Sequence, residues 1–297
     1  MIAQAGQKAP YALLAPTATE VVAAEGIPIQ NSTATQARPR IHAEVGRYTV
    51  RLANGAADRE AACRLRFRVF NIELGEGLES SYATGIDTDH FDVFCEHLLV
   101  EEKAAGRVVG TYRMQSGTTA AMNLGYYSAQ EFEFAPYEPL RRDILELGRA
   151  SIDREHRTPE VLTLLWRGIA QYANEMGIRY LVGCSSLNSK DPAKGWQLYR
   201  ELERYRVSPE FKTVPTRAYF CPTEQPVVSA QQVTAGENGA VSTKVPKLLK
   251  TYLTIGARIC APPAWDREFG TIDFLTLLDL KLLSSAARNR FLAPLTE

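Results

Sequence analysis

Hydrophobic patterning switches between a two-residue and a 3.6-residue period along this 297-residue chain, and the order of the switches limits the fold more than any single motif. Arg47–Ala53 (RYTVRLA) alternates as a strand, and Asn54-Gly55 interrupts it ahead of a helix expected over 57–72. His97–Glu102 and Arg107–Gln115 read as two strands joined by Lys103-Ala104-Ala105-Gly106, a connection suited to a hairpin. Ile144–Ile152 is a further strand. Thr158-Pro159 and Asp191-Pro192 each set a capping side chain before a proline, which predicts helices reaching Gly177 and about Tyr205, with the strand Arg179–Ser186 between them. A helix over Val245–Gly256 and strands around Arg258–Cys260 and Thr271–Leu278 complete the order. The series β-α, β-β, β-α, β-α, α-β-β implies an α/β fold built on a mixed sheet, with helices on both of its faces, in a single large domain.

Residues 1–45, rich in Ala, Thr, Pro and Gln and without sustained period, read as a flexible N-terminal extension, so the domain is expected over 46–297. The polar stretch 223–243 reads as a surface loop. Thirty-four basic residues balance thirty-four acidic ones, which removes any overall electrostatic case for nucleic acid. The five cysteines are scattered, with no Cys-x-x-Cys pair, so neither a disulfide framework nor a zinc site is expected and a reducing cytoplasm fits best. No stretch of eighteen apolar residues occurs, and peripheral attachment to the inner membrane face stays open.

Four segments place charge where burial makes it costly. On the first helix, Leu65, Val69 and Ile72 form one apolar stripe and Phe67 and Phe70 another, with Arg66 between them, and a desolvated arginine needs an anionic partner. Asp87-Thr88-Asp89-His90-Phe91-Asp92 offers carboxylates, but its spacing departs from a calcium loop, and no metal is expected. In the strand Glu146-Leu147-Gly148-Arg149, simple alternation puts Glu146 and Gly148 on one face and Leu147 and Arg149 on the other. A structural ion pair competes with a catalytic role there. The turn Arg154–Pro159 sets Arg154 and Arg157 beside a helix N-terminus, where free N–H groups favour an anion.

Taken together these segments resemble the GNAT superfamily, and within it the branch of acyl-homoserine-lactone synthases and ornithine-lipid ("haemolysin-like") N-acyltransferases. Coverage runs over about residues 47–280. The shared positions are Arg66 and Phe70, Asp89 and Asp92, Arg113, and Glu146 and Arg149. Asn71–Glu76 lacks the tryptophan of the lactone synthases, whereas Leu164–Gly168, Gly183-Cys184-Ser185, Val245–Leu253 and Phe269–Asp273 look like the lipid enzymes.

The resemblance implies transfer of a fatty acyl group, 3-hydroxylated in the lipid enzymes, to the α-amine of an amino acid such as ornithine, giving a lyso-aminolipid. Arg154–Pro159 lacks the glycines of a coenzyme A loop, so acyl-acyl carrier protein rather than acyl-CoA is the implied donor and acyl carrier protein the implied partner, with no resident cofactor. Implied roles are Glu146 and Arg149 in catalysis, and Arg66, Phe70, Asp89, Asp92 and Arg113 around the acceptor. Arg154, Arg157, Thr158, Cys184 and Ser185 fall to the donor. The rivals are a lactone synthase and a non-catalytic acyl- or carrier-binding protein.

Overall fold

The computed structural model describes residues 38–223 and 244–291. The 1–37 part of the expected extension and nearly all of the expected 223–243 loop lie outside them. Strands β1 (His42–Val45), β2 (Tyr48–Leu52), β3 (Glu96–Glu102), β4 (Arg107–Ser116), β5 (Ile144–Ile152), β6 (Tyr180–Leu187), β7 (Arg258–Ile259), β8 (Ala264–Asp266) and β9 (Thr271–Asp279) form one sheet. Its order is β1-β2-β3-β4-β5-β6-β9-β7, with β8 also on β9. All pairs are antiparallel except β5 with β6. The helices are α1 (Ala56–Phe67), α2 (Gly117–Met122), α3 (Pro159–Glu175), α4 (Pro192–Glu201), α5 (Lys247–Ile255) and α6 (Ser285–Phe291).

The mixed sheet with helices on both faces is as expected from the pattern. Leu98 and Val100 of β3 pack in one core with Leu164, Leu165 and Ile169 of α3. Leu99, between them, points the other way and joins Leu65 of α1. Thr158 caps α3, its side chain accepting from the N–H of Val161, and Asp191 caps α4 in the same manner.

Three local readings need correction. The sheet begins at His42, ahead of the Gly46 boundary, because Gly46, at a φ of 56°, takes the first place of a two-residue turn that folds β1 onto β2. The first helix does not keep its period to Ile72: after Phe67 it widens into a π-helical turn over Arg68–Leu74. That rotates the stripe, so Val69 is buried while Ile72 is 63% exposed.

The third correction concerns Arg149. Across β4 and β5, Thr111 faces Ser151 and Arg113 faces Gly148, leaving Tyr112 opposite both Arg149 and Ala150. The extra residue is a bulge, and Arg149 sits in it with a left-handed φ of 52°. Leu147, Ala150 and Ile152 therefore pack on the α3 side, while Arg149 turns to the face that carries Glu146 and Arg113. Strict alternation would have placed it on the opposite face from Glu146.

Candidate active site

Among the described residues β5 and β6 make the one parallel strand pair of the sheet, and it is also the one that comes apart. β5 and β6 are in register at Ile144 with Tyr180, Leu145 with Leu181 and Glu146 with Val182, and pairing ends there. Gly183 follows at the fork. A Cβ on it would lie 2.2 Å from the carbonyl oxygen of Leu147, so only glycine lets the two backbones pass this closely. Beyond it opens a cavity of about 940 Å³.

The cavity is lined from both sides of the sheet, and the two sides differ in chemistry. On the α3 side are Leu147, Ala150, Leu162, Trp166, Leu181, Tyr252 and Leu278. On the α1 side are Arg113, Tyr127, Glu131, Glu146, Arg149, Cys184, Asp266 and Asp273. An apolar half and a charged half thus meet at the fork.

Behind the charged half is a buried ionic network. Arg66 is fully buried and donates from Nε to Asp87 Oδ1 at 2.7 Å, from Nη1 to Asp92 Oδ1 at 2.7 Å and from Nη2 to Asp92 Oδ2 at 2.8 Å. Its Nη2 also reaches the Asp87 carbonyl at 2.6 Å. Arg113 donates to both oxygens of Asp89 at 2.7 Å and to Asp92 at 3.1 Å, and Arg149 Nη2 donates to Asp89 at 3.0 Å. Although burial acts to raise the pKa of Asp92, the Arg66 and Arg113 guanidiniums hold it far below the usual carboxylate range. Burial likewise acts to raise the pKa of Asp89, and Arg113 and Arg149 bring it below the ordinary carboxylate value.

These contacts join Arg66, Asp89, Asp92, Arg113 and Arg149 in one network, together with Asp87. Arg113, Arg149 and Phe70 reach the cavity wall, whereas Arg66 and Asp92 stand behind it and fix the loop that carries Asp89. The Arg149 guanidinium lies over the rings of Phe269, 4.4 Å from the centroid, and Tyr127, at 5.1 Å.

Glu146 is anchored rather than loose. Its Oε2 accepts the N–H of Tyr127 at 2.8 Å and its Oε1 the N–H of Ser128 at 2.7 Å, so it holds the start of the 3-10 turn Tyr127–Gln130. Burial raises its proton affinity against the pull of those N–H donors. The turn in turn presents Tyr127 and Glu131 to the cavity. Among the residues implied for the donor, Arg157, Thr158, Cys184 and Ser185 line the cavity. Arg157 pairs with Glu73, its Nη2 2.7 Å from Oε2, and Arg154 is exposed on the turn outside the lining. Burial, then the neighbouring Glu131 carboxyl, pushes the Cys184 thiol well up, which keeps it protonated rather than a thiolate nucleophile.

Several lining residues were not singled out from sequence: Glu76, Tyr127, Ser128, Glu131, Asp266 and Asp273. Asp273 carried a usable signal, a carboxylate inside the apolar strand TIDFLTLL, which is the same anomaly that marked Glu146. Tyr127 and Glu131 carried none, because the first lies in a short 3-10 turn and the second caps it, and such a turn has no period to read.

The family described as acetyltransferase (GNAT) domain matches residues 65–167, the span from Arg66 through the forked strand into α3. Fold, cavity and match define an acyltransferase of the GNAT class. The L-ornithine N(alpha)-acyltransferase of Brucella abortus (strain 2308) is 32% identical over 265 residues, covering 83% of this chain and 92% of that protein. The enzyme of the same name from Rhodobacter capsulatus is 29% identical over 248 residues, 82% of this chain and 93% of that protein. The crystal structure of the AHL synthase LasI overlays with a TM-score of 0.47 at 13% identity, over 84% of this chain and 98% of that one. The chain belongs to the family of the L-ornithine Nα-acyltransferases.

Proposed function

We propose that this acyltransferase moves a fatty acyl group, 3-hydroxylated or plain, from an acyl thioester to the α-amine of ornithine, yielding a lyso-ornithine-lipid type of product. The observation that carries the reading is the forked cavity, apolar toward α3 and charged toward α1. An acyl chain belongs in the first half and a zwitterionic amino acid in the second, and the thioester carbonyl then falls at the fork. The names of the relatives supply ornithine as acceptor.

An ammonium cannot attack a carbonyl, so the α-amine must lose a proton. Each oxygen of Glu146 accepts one backbone N–H and keeps a further lone pair, and its raised proton affinity suits it to take that proton, directly or through water. The stretch of β5 beyond Glu146 is unpaired with β6, and an N–H there polarises the thioester carbonyl. Arg149, held by Asp89 and the rings of Tyr127 and Phe269, orients the acceptor carboxylate.

The donor in this reading is acyl-acyl carrier protein, whose prosthetic phosphate meets Arg157, Lys244 and Lys247 on the cavity wall. The work is cytoplasmic, with the product released at the inner membrane face. Among the described residues no helix is long and apolar enough to cross a membrane. The test is expression in a bacterium lacking aminolipids, with mass spectrometry of the lipid extract. Wild type should yield N-acylornithine and Glu146→Gln about 10²-fold less or below. An acyl-homoserine lactone in place of that product, or undiminished yield from the variant, would overturn the reading.

A further inference from the structure

The charged half of the cavity holds a group of carboxylates that the transfer step leaves unused. Glu131, Asp266 and Asp273 are each 3% exposed, and each offers an oxygen within 4.8 Å of the other two. Three such groups repel one another, yet no arginine or lysine is hydrogen-bonded to any of them among the described residues. Their protein partners are few: Asp266 Oδ1 accepts the N–H groups of Glu268 and Phe269 at 2.8 and 2.9 Å, Asp273 Oδ2 accepts from Thr271 Oγ1 at 3.2 Å with Ser186 and Glu131 also against it, and the Cys184 thiol is beside Glu131.

Two oxygens are left over. Glu131 Oε2 and Asp273 Oδ1 are buried and have no hydrogen-bond partner. An orphaned buried carboxylate oxygen is costly, and two of them on the wall of one cavity mark a place that a cation completes. A fourth carboxyl on the same wall, Glu76, is pushed up to about 7 by burial and by Asp273, so the region is short of positive charge beyond the triad itself.

The chemistry of the missing cation can be narrowed. A hard divalent ion takes six or more oxygen ligands, whereas the triad offers one from each of three carboxylates, and Asp266 Oδ1 already accepts two N–H groups. A primary ammonium has three N–H donors, one for each carboxylate. The triad also shares its cavity with Glu146 and Arg149, so a single small molecule can present an amine to the former, a carboxylate to the latter and a second amine to the triad.

Building on the acceptor proposed above, we propose that Glu131, Asp266 and Asp273 bind the side-chain ammonium of a dibasic amino acid and thereby select acceptors with a second amine. Glu131 is the specificity-determining member, because the Tyr127–Gln130 turn that delivers it is itself fixed by Glu146.

The test compares ornithine with norleucine, which has a methyl group in place of the distal ammonium, using the full chain and one acyl thioester donor. Wild type should favour ornithine in kcat/KM by at least about a hundredfold, since a site built to bond a donor rejects an analogue that lacks it. In Glu131→Gln and in Asp273→Asn that preference should fall at least tenfold, chiefly through KM for ornithine. A preference that survives in both variants, because both acceptors lose rate equally, would overturn the assignment. If wild type acylates no amino acid, the acceptor reading fails separately, and thermal shift then decides the subsite without turnover. A rise in Tm with ornithine that is lost in Glu131→Gln supports it. No ornithine-dependent rise, or a rise produced by magnesium or calcium chloride alone, overturns it.

Discussion

Replacing Arg66 by methionine is expected to cost more stability than any surface substitution in the chain. The guanidinium is fully buried and makes four hydrogen bonds of 2.6–2.8 Å to Asp87 and Asp92, three to carboxylate oxygens and one to a carbonyl. Methionine fills similar volume but leaves both carboxylates without their main partner. Asp92 retains Arg113 at 3.1 Å, Thr88 Oγ1 at 3.1 Å and its own loop's Asp89 N–H at 2.9 Å, so the loss is partial for it and larger for Asp87. Breaking a buried pair from one side costs about 3–5 kcal/mol. Urea unfolding followed by tryptophan fluorescence should show this as a lower midpoint with an unchanged slope. Because the cost comes from stranded charge, the triple variant Arg66→Met, Asp87→Asn, Asp92→Asn should recover part of it. Wild-type Asp92, held low, contributes stability that is present above the ordinary carboxylate range and lost as pH falls through that range and below. In Arg66→Met that preference is weaker, since Asp92 keeps Arg113, so the deficit should shrink as pH falls through and below the ordinary carboxylate range. A penalty under about 1 kcal/mol, the scale of an exposed ion pair, would refute the picture of a buried network.

Gly183→Ala should lower the urea midpoint by the equivalent of about 1–3 kcal/mol and depress turnover, since its Cβ would meet the Leu147 carbonyl at 2.2 Å; an active, fully stable variant would contradict the tight fork. Arg149→Gly should be more stable than Arg149→Ala by about 1 kcal/mol in the same assay, because only glycine adopts the bulge's positive φ without strain, while both variants lose activity. Asp273, raised to about 6 by burial and then by Asp266, binds its proton more tightly folded than unfolded. Stability is therefore lost as pH rises above the ordinary carboxylate range, and Asp273→Asn should raise Tm more at pH 8 than at pH 5. An equal gain at both values would count against a strained, ionised Asp273.

The sheet was legible because long elements carry strong periods and caps. β5 was read to its terminal residues, and α3 from its Thr158 cap, since neither depends on distant contacts. Arg66 was legible as a cation in need of an anion, and the acidic loop as its source, because desolvation makes that demand wherever the partner lies. The side to which Arg149 points was not. A bulge is set by the register of β4 against β5, which no local pattern along Glu146–Ile152 records. The π-helical turn that exposes Ile72 is of the same kind, an insertion that keeps the helix but changes its phase. Glu131 was hidden because turns lack periodicity, and its partnership with Asp266 and Asp273 joins segments far apart in sequence. A charge inside a strand marked Glu146 and family likeness gave it a role, but no pattern along the chain places its two oxygens on the N–H groups of Tyr127 and Ser128.

The most direct measurement is acyl transfer by the purified chain, given a long-chain acyl-acyl carrier protein and ornithine, with thiol release followed continuously and the product weighed by mass spectrometry. Thiol should appear only when ornithine is present, in step with one N-acylornithine per thiol, and Glu146→Gln should slow it about a hundredfold while the donor still binds. Thiol release that ignores the amino acid, or release that requires S-adenosylmethionine and yields a lactone, would contradict an ornithine acyltransferase working at the fork between β5 and β6.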